Sequence, residues 1–139
     1  MTEFKKILLA IDGSEGSYKA ASFAADLAAR LGAKVTLLYV ASDKDTDGFI
    51  AKPTYVTGEN VLIAHRFDRA KKYLEEVGAS YDTLLELGDP ADMIVTIGDK
   101  GYDAIVVGSR GLSGLRELVL GSVSQKVVQT SRIPVLVVP

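Results

Sequence analysis

Five short strand-like segments alternate with stretches of helical periodicity, and this alternation constrains the fold more than any other feature of the chain. The segments occupy residues 7–11, 35–40, 81–87, 104–107 and 135–138. The first, fourth and fifth are continuous apolar runs, which are typical of strands buried on both faces. Between the first two segments, one helical face holds Ala20, Phe23, Ala24, Leu27 and Leu31. Between the second and third segments, another holds Ile63, Phe67, Ala70, Leu74 and Val77.

Helix boundary signals divide the chain in the same way. Gly32 and Gly78 follow the two helical faces and are natural helix ends. Asp89 followed by Pro90 predicts a cap and a first-turn proline, with a third helix that runs to about residue 100. Ser122 with Gln125 fits a capping box, and predicts a fourth helix that runs to about residue 130.

Strands that alternate with helices predict an α/β fold with a mostly parallel, doubly wound sheet and helices on both faces. We expect one five-stranded sheet in the order 3-2-1-4-5, and one domain over residues 1–139. In such sheets ligands bind at the carboxyl ends of the strands, where the winding direction reverses. That crevice lies between the first and fourth strands.

Composition excludes several function classes. The formal net charge is −2 and no block of basic residues occurs, so nothing suggests a nucleic-acid partner. The chain has no cysteine, which excludes disulfides and thiol chemistry. The first apolar run is too short for a signal peptide or a membrane span. We expect a soluble cytoplasmic protein with no membrane partner.

A glycine motif follows the fourth segment. Gly108, Gly111, Gly121 and Ser122 give the spacing G-x-x-G-x9-G-S. Glycine amides at a helix start form a site for anions, and for phosphates in particular. The spacing is neither that of the P-loop nor that of the dinucleotide fingerprint. The alternative is that these glycines serve only as turn residues.

Several segments, taken in order, resemble the ATP-binding branch of the universal stress protein family. They are Lys6-Ile7-Leu8-Leu9-Ala10-Ile11-Asp12-Gly13-Ser14, Gly88-Asp89-Pro90, Tyr102-Asp103-Ala104-Ile105-Val106-Val107-Gly108, the glycine motif and Pro134-Val135-Leu136-Val137-Val138. Residues 41–58 carry no such match. The resemblance implies the doubly wound fold, binding of ATP, and hydrolysis that is slow in some members and lacking in others.

The resemblance also implies roles for single residues. The backbone of Gly108, Ser109, Arg110 and Gly111 is expected to wrap the ribose and phosphates. Amides and a hydroxyl for the outer phosphates are expected from Gly121, Ser122 and Val123, with Ser124 as a candidate for a further hydroxyl. Ala10 and Val40 are expected to border the adenine, although the residues themselves indicate only core positions.

Two charged residues flank this site. Arg110 is placed to neutralise phosphate charge, and the alternative is a solvated loop arginine. Asp12 would repel a phosphate, but its carboxylate can accept from a ribose hydroxyl or an adenine amine, or hold a magnesium ion. The resemblance places Asp12 against the nucleoside. An N-cap of the first helix is the alternative, and both roles can coexist.

Other motifs are weaker. Residues 43–48 match the first half of a calcium loop, but Thr54 occupies the position that needs a bidentate glutamate, so a solvated acidic loop is the better interpretation. His65 is the only histidine and is interpreted as a surface residue. The long polar loop over residues 41–58 is a candidate lid or partner surface.

No catalytic constellation emerges, so a nucleotide-binding stress or regulatory protein is the leading hypothesis. A slow ATPase that acts as a switch stays open, as does a flavodoxin-like module for another phosphate ligand. Against the latter, Asp12 and Glu15 put negative charge where a flavodoxin holds phosphate. A receiver domain would need an aspartate and a lysine in the regions of Leu87 and Val138.

The last apolar run predicts a homodimer. Val135–Val138 is apolar on both faces and is expected at a sheet edge, between Pro134 and Pro139. An uncharged edge strand is an aggregation hazard unless something pairs with it. Antiparallel pairing with a second copy would satisfy its backbone groups, and the family resemblance points to the same interface. The alternative is that the leucine-rich residues 112–120 cover the edge within one chain.

Overall fold

A computed structural model describes residues 4–41, 58–109 and 120–139, in which strands and helices alternate along the chain. In order, the elements are β1 (Lys6–Ala10), α1 (Glu15–Leu31), β2 (Lys34–Ala41), α2 (Gly58–Glu76), β3 (Tyr81–Leu87), α3 (Pro90–Gly98), β4 (Ala104–Gly108), α4 (Ser122–Thr130) and β5 (Val135–Val138). Every predicted element among the described residues is present. The third helix ends at Gly98, slightly earlier than the sequence predicts.

The five strands form one sheet in the order β3-β2-β1-β4-β5, which confirms the predicted fold. All four neighbouring pairs are parallel. Because side chains alternate along a strand, Ile7 and Leu9 of β1 face α1 and α2, whereas Leu8 faces α3 and α4. The sheet therefore has a buried apolar layer on each face, as a doubly wound sheet requires.

Helix α1 packs on the sheet through small residues, and here the predicted helix face is partly wrong. Its buried apolar positions are all alanines: Ala20, Ala21, Ala24, Ala25 and Ala28. Phe23 and Leu31, which the sequence places inward, are 46% and 47% exposed. Alanines allow the helix axis to approach the strands closely, so the bulky residues are displaced from the inner face. Val77, also predicted inward, follows the last residue of α2 and is 38% exposed.

A single carboxylate ties the amino ends of the central strands together. Asp103 precedes β4, and its Oδ2 accepts hydrogen bonds from the backbone N–H groups of Lys5 and Lys6, each at 2.9 Å. These N–H groups lower the pKa of the Asp103 carboxyl below its ordinary value. The lowered pKa means that the ionised carboxylate stabilises the start of β1 beside β4.

Among the described residues, no helix combines the length and apolar character needed to cross a membrane. The same residues contain no group of three or more His, Cys, Asp or Glu side chains that could hold a metal ion.

Candidate functional site

The winding direction of the sheet reverses between β1 and β4. Strand β1 lies between β2 and β4, and the chain leaves β1 for α1 on one face and leaves β4 for α4 on the other. Residues 11–14 follow β1, and Ser109 follows β4. The carboxyl ends of these two strands therefore border the crevice in which sheets of this type bind ligands.

The turn after β1 is organised by Asp12. Its Oδ1 accepts hydrogen bonds from the backbone N–H and the hydroxyl of Ser14, at 2.9 and 2.5 Å. The N-cap of α1 is Ser14, whose Oγ accepts from the N–H of Ser17 at 3.1 Å. The alternative interpretation of Asp12 as the N-cap is therefore wrong. Asp12 instead fixes the residue that caps the helix.

Gly108 is a packing requirement of this junction. A Cβ atom at Gly108 would lie 2.7 Å from the carbonyl oxygen of Gly16 in the first turn of α1, a distance that real Cβ atoms do not show. Only glycine lets the end of β4 approach α1 this closely. This contact brings the start of α1 against the end of β4, so the two predicted loops begin side by side.

Ser109 joins three elements through its backbone. Its N–H donates to the carbonyl of Val138 at 2.8 Å, and its carbonyl accepts from the N–H of Gly121 at 2.7 Å. The Ser109 amide, one of the amides expected to wrap the ligand, is thus engaged within the protein. The carbonyl bond holds the start of α4 at the end of β4.

The first turn of α4 lacks a side-chain cap. Gly121 is the N-cap and makes no side-chain hydrogen bond, so Ser122 is the first helical residue and the predicted capping box is wrong. In an α-helix the first N–H groups have no partner within the helix. The amides of Ser122, Val123 and Ser124 are those groups here. Ser122 and Val123 are exposed, and among the described residues no side chain caps this end of the helix.

The Ser124 hydroxyl is used inside the protein. It is 6% exposed and donates to the carbonyl of Gly108 at 2.5 Å. The hydroxyl that the family resemblance offers to a phosphate thus donates within the protein. The bond fixes the first turn of α4 to β4, and it leaves the Ser124 amide as the group that faces the helix end.

Ala10 and Val40 lie near the carboxyl ends of β1 and β2. Both belong to the apolar layer on the α3 and α4 side, Val40 buried and Ala10 half-buried. They form an apolar wall at the carboxyl ends of β1 and β2. Arg110 and Gly111 lie outside the described residues, as do the side chain of His65, residues 43–48 and Thr54, and residues 112–119.

Residues 3–139 match the family described as the universal stress protein family. The chain belongs to the universal stress protein family. Its relative YxiE of Bacillus subtilis is 38% identical over 149 residues, which cover 97% of this chain and 99% of YxiE.

Solved structures agree with this assignment. The hypothetical protein MJ0577 is similar with a TM-score of 0.82 and 32% identity, over 99% of this chain and 96% of that protein. A universal stress protein in complex with cAMP is similar with a TM-score of 0.77 and 26% identity, over 99% and 98% of the two chains. The sheet order and the reversal between β1 and β4 are thus those of the family.

Sequence reasoning missed Arg66 of α2, which contacts the turn after β1. Its Nη1 lies 3.4 Å from the carbonyl oxygen of Asp12. Residues 54 positions apart along the chain make this contact. No local motif signals such a pair, and only the packing of α2 beside α1 brings the two together.

Proposed function

We propose that the chain binds an adenine nucleotide, with ATP as the expected ligand, in the crevice between β1 and β4. One observation carries the proposal. The uncapped first turn of α4 is hydrogen-bonded to the end of β4, and the end of β4 packs on the helix that Asp12 and Ser14 begin. A group that attracts anions and a carboxylate that accepts hydrogen bonds therefore border one crevice.

The positive end of the α4 dipole and the negative charge of Asp12 together indicate how the ligand is oriented in the crevice. The amides of a helix start and the helix dipole attract phosphates, and the start of α4 has no side-chain cap. Asp12 repels phosphates but accepts from a ribose hydroxyl or an amine, so the nucleoside lies toward β1. The apolar wall of Ala10 and Val40 then borders the base. The similar protein in complex with cAMP supports an adenine nucleotide as the ligand class.

Magnesium is proposed only as a companion of the phosphates. The described residues include no cluster of three or more metal-binding side chains, and magnesium commonly keeps its waters and binds through phosphates and one or two carboxylates. Asp12 is the carboxylate of this crevice. Hydrolysis is expected to be slow or lacking, because the sequence has no P-loop lysine for the transferred phosphate.

A calorimetric titration of the purified chain with ATP and with GTP tests the proposal. We expect ATP to bind and GTP to bind at least about tenfold more weakly, because only polar contacts to the base can separate the two nucleotides. A mass spectrum of ligand released on denaturing the fresh protein identifies what it carries. Equal binding of both nucleotides, or no binding of either, contradicts the proposal.

The chain is further proposed to act as a regulatory stress protein in the cytoplasm, and as a homodimer through Val135–Val138. Strand β5 pairs with β4 and has no second partner among the described residues. Leu136 is 37% exposed on this edge strand. An antiparallel strand from a second copy would pair the outer backbone groups of β5 and cover Leu136.

Replacing Leu136 with Lys tests the dimer. The charge would be forced into the proposed interface, so we expect the parent to run as a dimer and Leu136→Lys as a monomer in light scattering. The substitution Val128→Lys, at an exposed position of α4, is a control for added charge. A monomeric parent, or a dimeric Leu136→Lys, removes this interface.

A further inference from the structure

Arg66 lies across the turn that carries Asp12. Its Nη1 donates to the carbonyl oxygen of Asp12 at 3.4 Å and to the hydroxyl of Tyr39. Its Cζ lies 4.9 Å from the centroid of the Tyr39 ring, a cation–π distance. The guanidinium is therefore held between the end of β2 and the turn after β1.

The stem of Arg66 covers Gly13. Gly13 has a φ of +86°, a left-handed conformation that side chains rarely adopt. A Cβ at Gly13 would lie 3.3 Å from Cδ of Arg66, so the arginine packs directly on the glycine. Arg66 therefore packs on the turn at the residue that has the left-handed backbone conformation.

The backbone of Arg66 is itself anchored to α1. The Tyr18 hydroxyl donates to the Arg66 carbonyl at 3.1 Å. Arg69, one turn further along α2, pairs with Glu15 at 2.9 Å and lies 4.7 Å from the Tyr18 ring centroid. Arg66 and Arg69 of α2 therefore both contact the first turn of α1. Among the described residues, only Arg66 of the two is also hydrogen-bonded to the turn that carries Asp12.

We propose that Arg66 is a positioning residue for nucleotide recognition. Ser14 fixes the carboxylate of Asp12, and Arg66 fixes its carbonyl and the following glycine. Because the side chain and the backbone carbonyl of Asp12 are both hydrogen-bonded, the carboxylate is ordered before a ligand binds, which lowers the entropy cost of binding. The inference deepens the proposed function, because it assigns to α2 the control of the nucleoside end of that same crevice.

The role predicts a specific pattern of affinity. Arg66 acts through Asp12 on the nucleoside, so its loss weakens ATP and adenosine by the same factor. A direct contact with phosphate would weaken ATP alone. Arg66→Met keeps much of the stem over Gly13 and removes the guanidinium. Arg69→Met is the matched control, since it removes an arginine from the same helix and spares the Asp12 turn.

The experiment measures the affinity of ATP and of adenosine for the parent, Arg66→Met, Arg66→Lys and Arg69→Met. We expect Arg66→Met to lose about tenfold for both ligands, as for one bond to a charged group. Lysine keeps the charge but not the planar fork, so Arg66→Lys recovers part of the loss. Arg69→Met binds as the parent does. The Gly13 amide resonance of the unliganded protein shifts in Arg66→Met and stays in place in Arg69→Met.

The outcomes separate this inference from the proposed function. A parent that binds neither ligand overturns the proposed function and the recognition role with it. A parent that binds both, with Arg66→Met binding equally well, overturns only the role of Arg66. Weakening of ATP without adenosine replaces positioning by a direct phosphate contact and also overturns it. Equal losses in Arg66→Met and Arg69→Met reduce the effect to the general packing of α2.

Discussion

Helices α3 and α4 are a matched pair that differ at their starts. Both are nine residues long, both follow a strand at its carboxyl end, and they pack against each other on one face of the sheet. Helix α3 begins with Asp89, whose carboxylate accepts from the N–H of Asp92 at 3.0 Å, and with Pro90. Helix α4 begins with Gly121 and no side-chain bond.

The difference separates a helix start that stabilises the protein from one that is open to a ligand. Lys126 of α4 adds to the contrast, since its Nζ lies 2.9 Å from Asp92 and 3.7 Å from Asp89. At the start of α3, the Asp92 amide and the carboxylates of Asp89 and Asp92 thus all have partners within the protein. The start of α4 has no side-chain cap, and we infer that this is where the phosphates bind.

Copying the α3 cap onto α4 gives the largest expected effect. In Gly121→Asp the new carboxylate would bond the first-turn amides and repel phosphate, so we expect ATP affinity to fall at least about a hundredfold, near 2.7 kcal/mol. Calorimetry measures the affinity, and circular dichroism checks that the fold is retained. The φ of −59° at Gly121 suits any residue.

Gly121→Ala is the control for that substitution, because it adds a Cβ atom without a charge. We expect it to lose less affinity than Gly121→Asp. If the aspartate variant binds ATP as tightly as the parent, the phosphates do not bind at α4 and the comparison fails.

Removing the cap from α3 is expected to lower the stability of the protein and to leave its ATP affinity nearly unchanged. Asp89→Ala leaves the Asp92 amide without its acceptor, so we expect a loss of about 1 kcal/mol in the free energy of unfolding, typical of an N-cap. Chemical denaturation measures that loss, and calorimetry is expected to find ATP affinity within about twofold of the parent. Asp92→Ala removes the nearer partner of Lys126 but not the cap, and is the control. A large loss of ATP affinity in Asp89→Ala would show that α3 takes part in the site.

These same helix starts show what the sequence can and cannot predict. Asp89 and Pro90 predict the α3 start correctly, because a cap and a first-turn proline act locally. Ser122 fits the same kind of rule, yet Gly121 is the N-cap. The Ser109 carbonyl holds the Gly121 amide, and the buried Ser124 hydroxyl bonds Gly108, so tertiary contacts set where α4 begins.

The strands and their parallel, doubly wound arrangement were predictable, because mostly apolar segments alternate with helical periodicity along the chain. The inner face of α1 was not, since alanines carry little hydrophobic signal and yet permit the closest packing. Gly108 was assigned to the ligand, whereas its contact with Gly16 gives it a structural reason. Arg66 stayed hidden because its partners come from β2 and the turn after β1, far away along the chain.

The smallest expected effect is a difference in acid sensitivity between the two starts. The Asp92 N–H, with Lys126 nearby, lowers the pKa of the Asp89 carboxyl below its ordinary 3.8. Because the folded pKa is the lower one, the ionised cap stabilises the protein above pH 3.8, and this contribution is lost as the pH falls through the lowered pKa. Gly121 has no side chain to titrate, so the start of α4 contributes no such dependence.

Asp89→Asn isolates this effect, since asparagine caps a helix without titrating. We expect the parent to be the more stable protein near neutral pH, and the gap between their urea midpoints to narrow as the pH falls below 3.8 and through the lowered pKa of Asp89. Asp26→Asn, at an exposed position of α1, controls for the loss of one negative charge. If the gap between the urea midpoints widens on acidification, the folded state does not favour the ionised Asp89 carboxylate. The contrast between the starts of α3 and α4 would then rest on their geometry and not on the charge of the cap.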